Sequence, residues 1–176
     1  MNTFSLTSVR ASLLQAPRIV EGLIASAPKD VLTWREGGGA WNCVEVLCHL
    51  ADGEITHWIP RVELILDGGG RFTPFEREGG FTRYAGWSAE PLVGEFGQLR
   101  RANVETIDRL ALTPVHLKLR GEHPEFGPVT LEQLLACWAT HDFAHIAQIS
   151  RILTRAVGAH VGPWRKYFSL LQGTDA

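Results

Sequence analysis

Two histidines, His141 and His145, stand four residues apart in a stretch, 131–153, whose apolar residues recur at helical spacing. On a helix, that separation puts two side chains about 40° apart on one face, with Cβ atoms about 5–6 Å from each other. Such a span lets both imidazoles reach one metal ion. Leu134, Cys137, Trp138, Ile149 and Ile152 fall on the same side, so both rings are expected to face the core. A buried polar group without a partner costs about 1–3 kcal/mol. Either a metal satisfies both rings, or each bonds a backbone carbonyl or a polar side chain such as Gln148.

A third histidine, His49, shares a helical stripe with Glu45, Asp52, Gly53 and Thr56, while Leu47, Ala51, Ile55, Trp58 and Val62 take the opposite side. The wheel alone makes that stripe solvent-exposed. A helix lining an open pocket needs a polar stripe as well, so the wheel does not decide between the two. Asp52 lies one turn from His49 and is a candidate to hydrogen-bond an imidazole or take a proton. Glu45 and Gln148 are similar candidates, with an ordinary polar role as the alternative for each. Asp142, about 100° from His141, is expected to tie helices together. His57 reads as peripheral, and His116, His123 and His160 as loop residues, with His123 near a pocket mouth.

Four long segments must position these residues. The first covers 6–27, where Pro17 predicts a kink or break. The second covers 40–66 and ends at Asp67-Gly68-Gly69-Gly70; Pro60 should bend it without ending it. Residues 67–87 look like a long crossover over the surface. Ser88 caps a third helix reaching to about 110. A short hairpin is expected within 113–128, with Gly121 and Gly127 turning the chain. Thr130 and Gln133 form a capping box for the fourth helix, which runs to about 156, and a short helix near 163–171 packs back. The expected fold is all-α: one domain over 1–176, a four-helix bundle with a long crossover between helices 2 and 3.

Composition sets limits on partners. The 176 residues carry a net charge of −2, with 45% apolar and 20% charged residues, which fits a globular protein with a real core. Lys and Arg are scattered, so nothing predicts nucleic-acid binding. No apolar run approaches the roughly 20 residues of a membrane span, and residues 1–10 lack a signal-peptide layout. Three cysteines, Cys43, Cys48 and Cys137, argue against a disulfide framework and are expected to be buried. A cytoplasmic location follows as the expectation.

Two blocks of residues resemble a known family. Ala40-Trp41-Asn42 followed by Glu45-x-Leu47-x-His49-Leu50-x-Asp52-x-Glu54, and Trp138-x2-His141-Asp142-x2-His145-x2-Gln148-Ile149-x-Arg151, are similar to the paired motifs of the DinB-like (damage-inducible) metalloproteins. The Phe126-Gly127-x2-Thr130-Leu131 lead-in is similar too. The resemblance implies a bundle with a crossover and a three-histidine metal site at His49, His141 and His145. It also implies a homodimer and kinship to bacillithiol- and mycothiol-dependent transferases.

Three imidazoles suit zinc, nickel, copper or iron, of which zinc or nickel is expected here. Three protein ligands leave a position open, the layout of a catalytic rather than a structural zinc site. Such a centre lowers the pKa of a water or a thiol. The expected function is therefore a metal-dependent thiol S-transferase or hydrolase acting on a small-molecule electrophile, with a low-molecular-weight thiol as a candidate co-substrate. The rival is a non-catalytic metal- or ligand-binding stress-response module, or a metal-free bundle that matters through dimerisation. Trp41, Trp87, Trp138, Trp164, Tyr84 and Phe81 line a pocket or fill the core. Arg71, Arg77 and Arg83 of the crossover clasp an anionic cofactor or are solvated.

Overall fold

Helix boundaries follow local chemistry closely. The computed structural model describes residues 4–172. Helix α1, Leu6–Ala25, starts at Ser5, whose side chain accepts from the Ser8 amide. The helix continues through Pro17, which has no N–H to give to the carbonyl four residues back. That carbonyl, on Leu13, accepts instead from Arg100 Nη1 at 2.9 Å, so the expected break is avoided. A short α2, Lys29–Thr33, follows.

The second long segment starts later than its sequence suggests and is divided. Helix α3, Cys43–Thr56, begins with a capping box between Asn42 and Glu45. Helix α4, Trp58–Leu66, is separated from it by His57 at φ −115° and ψ −60°. The expected bend at Pro60 is therefore a break one turn earlier. Pro60 occupies the third position of α4, where a missing N–H costs no intrahelical bond. Its ring instead disfavours a helical carbonyl at Thr56.

The crossover does more than lie over the surface. It joins the edge of a two-stranded sheet, β1 (Arg120–His123) and β2 (Gly127–Thr130), antiparallel with Arg120 opposite Thr130 and His123 opposite Gly127. The Phe72 amide donates to the Glu122 carbonyl and the Glu122 amide to that of Gly70. Phe72 is buried beneath this sheet. Gly121 does not turn the chain: it sits within β1, where an added Cβ would meet the Phe72 ring at 2.4 Å. Gly127 opens β2 at φ +71°. The crossover then forms α5, Gly79–Arg83, packed on α3.

Helix α6, Ala89–Arg109, follows Ser88, which holds the cap position without a side-chain hydrogen bond. Helix α7, Leu131–Ala156, has the expected capping box: Thr130 Oγ1 accepts from the Gln133 amide and Gln133 Oε1 from the Thr130 amide. The short C-terminal helix expected near 163–171 is of the 3₁₀ type. It forms 3₁₀ turns over Gly158–Tyr167 and Ser169–Leu171, interrupted at Gly162 with φ +59°. Leu171 packs back on α7 as expected.

Helices α1, α3–α4, α6 and α7 make a four-helix bundle with two apolar clusters. One gathers Val20, Leu47, Leu50, Phe96 and Ile149, the other Leu13, Val62, Val104, Leu135 and Trp138. Between them runs a buried ionic layer. Arg100 pairs with Glu54 at 2.8 Å and with Asp142 at 2.5 Å, all three nearly inaccessible. Trp138 Nε1 and Asn103 Nδ2 also donate to Glu54. Among the described residues, no helix is long and apolar enough to cross a membrane. Cys43 and Cys48 are buried as expected, whereas Cys137 is exposed, on the solvent edge of the face that its helix wheel assigned to the core.

Candidate metal centre

The three histidines meet beside the ionic layer. His49 comes from the middle of α3, and His141 and His145 from successive turns of α7. Their ligating nitrogens all lie within 4.8 Å of one another. His141 Nε2 is 2.9 Å from His49 Nε2 and 3.1 Å from His145 Nε2. Around a tetrahedral ion with Zn–N of about 2.0–2.1 Å, nitrogens sit roughly 3.3 Å apart, close to this spacing.

Contacts on the far side of the rings decide what the inner nitrogens can do. His49 Nδ1 lies 2.9 Å from the Arg77 carbonyl. A carbonyl oxygen only accepts, so Nδ1 carries the proton and a neutral ring presents a lone pair at Nε2. His145 Nδ1, 2.8 Å from Gln148 Oε1, is held the same way. His141 Nε2 therefore faces two lone pairs and has at most one proton to offer. Protonating the rings is opposed as well. Burial pushes His141 down to about 2, helped by the neighbouring histidines, and His145 to about 4, and it lowers His49. His141 Nδ1 is itself buried with no partner among the described residues. A shared cation satisfies three converging lone pairs that hydrogen bonds cannot, so these residues fit a metal.

Aromatic rings enclose the cluster. The Trp41 ring centre is 5.0 Å from His49, and Trp41 stacks nearly parallel to His145 at 6.5 Å. Phe75 lies 5.2 Å from His49, and Trp58, stacked on Trp138, meets His141 edge-on at 5.2 Å. Of the other pocket candidates, Phe81 packs on Trp41. Trp138 and Tyr84 belong to the core, and Trp87 and Trp164 are exposed.

The middle of the stripe on α3 that its wheel would expose is covered, while Thr56 at its end stays exposed. His49 and Asp52 are each only 4% exposed, because the crossover lies on them. Gly80 approaches so closely that a Cβ there would stand 2.4 Å from the Cys48 carbonyl. Asp52 bonds no imidazole: it pairs with Arg83 Nε at 2.6 Å and accepts from Thr56 Oγ1. Glu45 caps α3 and pairs with Arg35, away from the cluster. Gln148 is at the centre, and Asp142 ties α7 to α6 through Arg100. His57 is not a surface residue. Its ring packs between Trp58 and Phe75, its Nδ1 is buried without a partner, and burial pushes its pKa down to about 3. His123 stacks on Phe126. The Arg77 carbonyl escaped the sequence reading, because a backbone contact leaves no signature in residue type.

Comparison with known proteins agrees with this architecture. The family model of the DinB superfamily matches residues 12–149. No curated protein matches the chain. Among solved structures, YfiT from Bacillus subtilis superposes with a TM-score of 0.75 at 21% identity, covering 90% of this chain and 92% of that one. It is described as a probable metal-dependent hydrolase with an unusual four-helix bundle topology. At this identity the likeness speaks for the fold.

Proposed function

The chain belongs to the DinB superfamily, and on that premise we propose that His49, His141 and His145 hold one divalent metal, zinc or nickel, in an enzyme acting on a small electrophile. The observation that carries this reading is the convergence of three Nε2 atoms, with the His49 ring fixed from behind by the Arg77 carbonyl and the His145 ring by Gln148. Hydrogen bonds to the outer nitrogens set the tautomer that binds metal and raise its basicity. The description of YfiT as a probable metal-dependent hydrolase supports the same direction.

The metal would supply Lewis acidity toward a water or thiol and toward the electrophile. The protein's own residues do the rest. Trp41, Phe75 and Trp58 exclude bulk water from the histidines and strengthen electrostatic interactions there. Asp52 acts by positioning: through Arg83 it holds the crossover whose carbonyl orients His49. The three rings stay neutral, as ligands must, because burial opposes their protonation. The attacking group is water in a hydrolase, or a low-molecular-weight thiol in a transferase.

Metal analysis of untagged protein tests the reading, with His49→Ala, His141→Ala and His145→Ala alongside. Near one metal per chain, lost in every variant while helicity survives, is the expected result. A wild type that takes up neither zinc nor nickel refutes it. Turnover of model esters without thiol identifies a hydrolase, and turnover only with thiol a transferase. Metal binding with silence in both assays identifies the non-catalytic module. The homodimer belongs to the same proposal and is read by sedimentation of the loaded chain.

A further inference from the structure

Arg77 presents two different groups to the histidine cluster. Its carbonyl holds His49 Nδ1 at 2.9 Å. Its guanidinium carbon stands 5.3 Å from the centre of the Trp41 ring, the ring that packs on both His49 and His145. The side chain is exposed, so it stands at the mouth of the centre and not within the core.

Four acids of α3 and α7 have cationic partners. Asp52 pairs with Arg83, Glu45 with Arg35, and Glu54 and Asp142 with Arg100. Arg77 makes no ion pair and no side-chain hydrogen bond among the described residues. Its guanidinium is thus left without a bonded protein carboxylate, beside imidazoles that would themselves hold a cation. The flanking Glu76 and Glu78 are solvent-exposed and form no ion pair with it among the described residues. A guanidinium held over an indole face keeps its N–H edge free, and that planar fork matches a carboxylate with two parallel hydrogen bonds. Trp41 beneath it and Phe75 against His49 offer apolar walls for the body of the same molecule.

We propose that Arg77 determines specificity at this centre and selects a small organic anion, a carboxylate on an apolar body, as the substrate. The inference rests on reading the centre as a metal-dependent enzyme. It adds to that reading the charge of the molecule that is bound.

Benzoate and its neutral counterpart benzamide are suitable probes, since they differ in charge and little in shape. Each is titrated by calorimetry into the full chain, metal-free and zinc-loaded, as wild type, Arg77→Gln and Arg77→Lys. Zinc content and helicity are measured on the same samples. Wild type is expected to bind benzoate at least about tenfold more tightly than benzamide. Arg77→Gln should lose about that factor for benzoate and leave benzamide unchanged, with Arg77→Lys intermediate because a point charge lacks the fork. Zinc loading should survive in Arg77→Gln, because the substitution leaves the carbonyl that holds His49. Equal affinity for the two probes in wild type, or undiminished benzoate binding by Arg77→Gln, overturns the inference. A chain that takes up no zinc refutes the metal reading instead, and the benzoate comparison is still read on the metal-free protein.

Discussion

His145 shows how much a single contact decides at the metal centre. Gln148 Oε1 sits 2.8 Å from its Nδ1, which orients the ring and leaves Nε2 for the cluster. Gln148→Leu keeps the size and removes the acceptor. It is expected to weaken zinc binding about 10–100-fold with little loss of helicity, read by competition with a chromophoric chelator; unchanged affinity would mean that packing alone orients the ring. The histidines also predict a pH response of the metal-free protein. His57, His141 and His145 have folded pKa values pushed by burial to about 3, 2 and 4, below the ~6.5 of an unfolded histidine. Below pH 6.5 the unfolded chain takes up protons that the folded chain refuses. Stability therefore falls with acidification, by up to about 1.4 kcal/mol per pH unit for each histidine, and is fully present above pH 6.5. Urea unfolding of metal-free protein at pH 7.0 and 5.5 measures it, and equal stabilities would contradict the neutral, buried assignment. At this scale the sequence was readable where spacing carries geometry. His141 and His145 follow from an i, i+4 pair on an inward face. His49 does not, because nothing in α3 announces that another segment will cover its polar stripe, and only the family resemblance placed it.

Helix α5 and the chain before it are what turn that stripe into a site. The four main helices were legible, since caps such as Thr130 with Gln133 and stops such as Gly68 to Gly70 act locally. The crossover over 67–87 was legible as well, but its internal order was not, because that order comes from contacts distant in sequence: Phe72 beneath β1, Arg83 on Asp52, and Gly80 on the Cys48 carbonyl. The break at His57 was misplaced for a related reason, since the carbonyl that a proline disturbs lies one turn before it. Gly80 tests the role of this element. A methyl group there would come within 2.4 Å of the Cys48 carbonyl and 2.9 Å of Asp52 Cβ, neither of which can yield without moving α3. Gly80→Ala should push α5 away and cost about 1–3 kcal/mol. Because the Arg77 carbonyl moves with α5, zinc affinity should fall as well, while Gly94→Ala, in the interior of α6 with open space around it, should stabilise by about 0.5–1 kcal/mol and leave zinc affinity unchanged. Thermal denaturation with and without zinc checks both. A destabilised Gly80→Ala that binds zinc as wild type would separate the crossover from the centre.

Across the whole molecule, a charged layer divides the two apolar clusters and touches every main helix. Arg100 from α6 bonds Glu54 of α3, Asp142 of α7 and the Leu13 carbonyl that Pro17 frees in α1. The layer adjoins the centre in sequence, since Asp142 follows His141. The tie made by Asp142 was legible in the sequence and its partner was not, because an arginine amid the polar residues of α6 looks like any surface arginine. Removing one member of a buried ion network strands the charges that remain, which typically costs about 3–5 kcal/mol. Arg100→Met is expected to lie in that range, since two carboxylates would be left buried and the Leu13 carbonyl would lose its donor. Adding Asp142→Leu removes one of the stranded carboxylates. The double variant Arg100→Met/Asp142→Leu should therefore be more stable than the sum of the two single variants by about 1–3 kcal/mol. Urea unfolding of wild type, both singles and the double closes the cycle. Additive losses would mean that the three side chains stabilise the bundle through separate packing contacts, and that the layer is not a coupled unit joining the helices that carry the histidines.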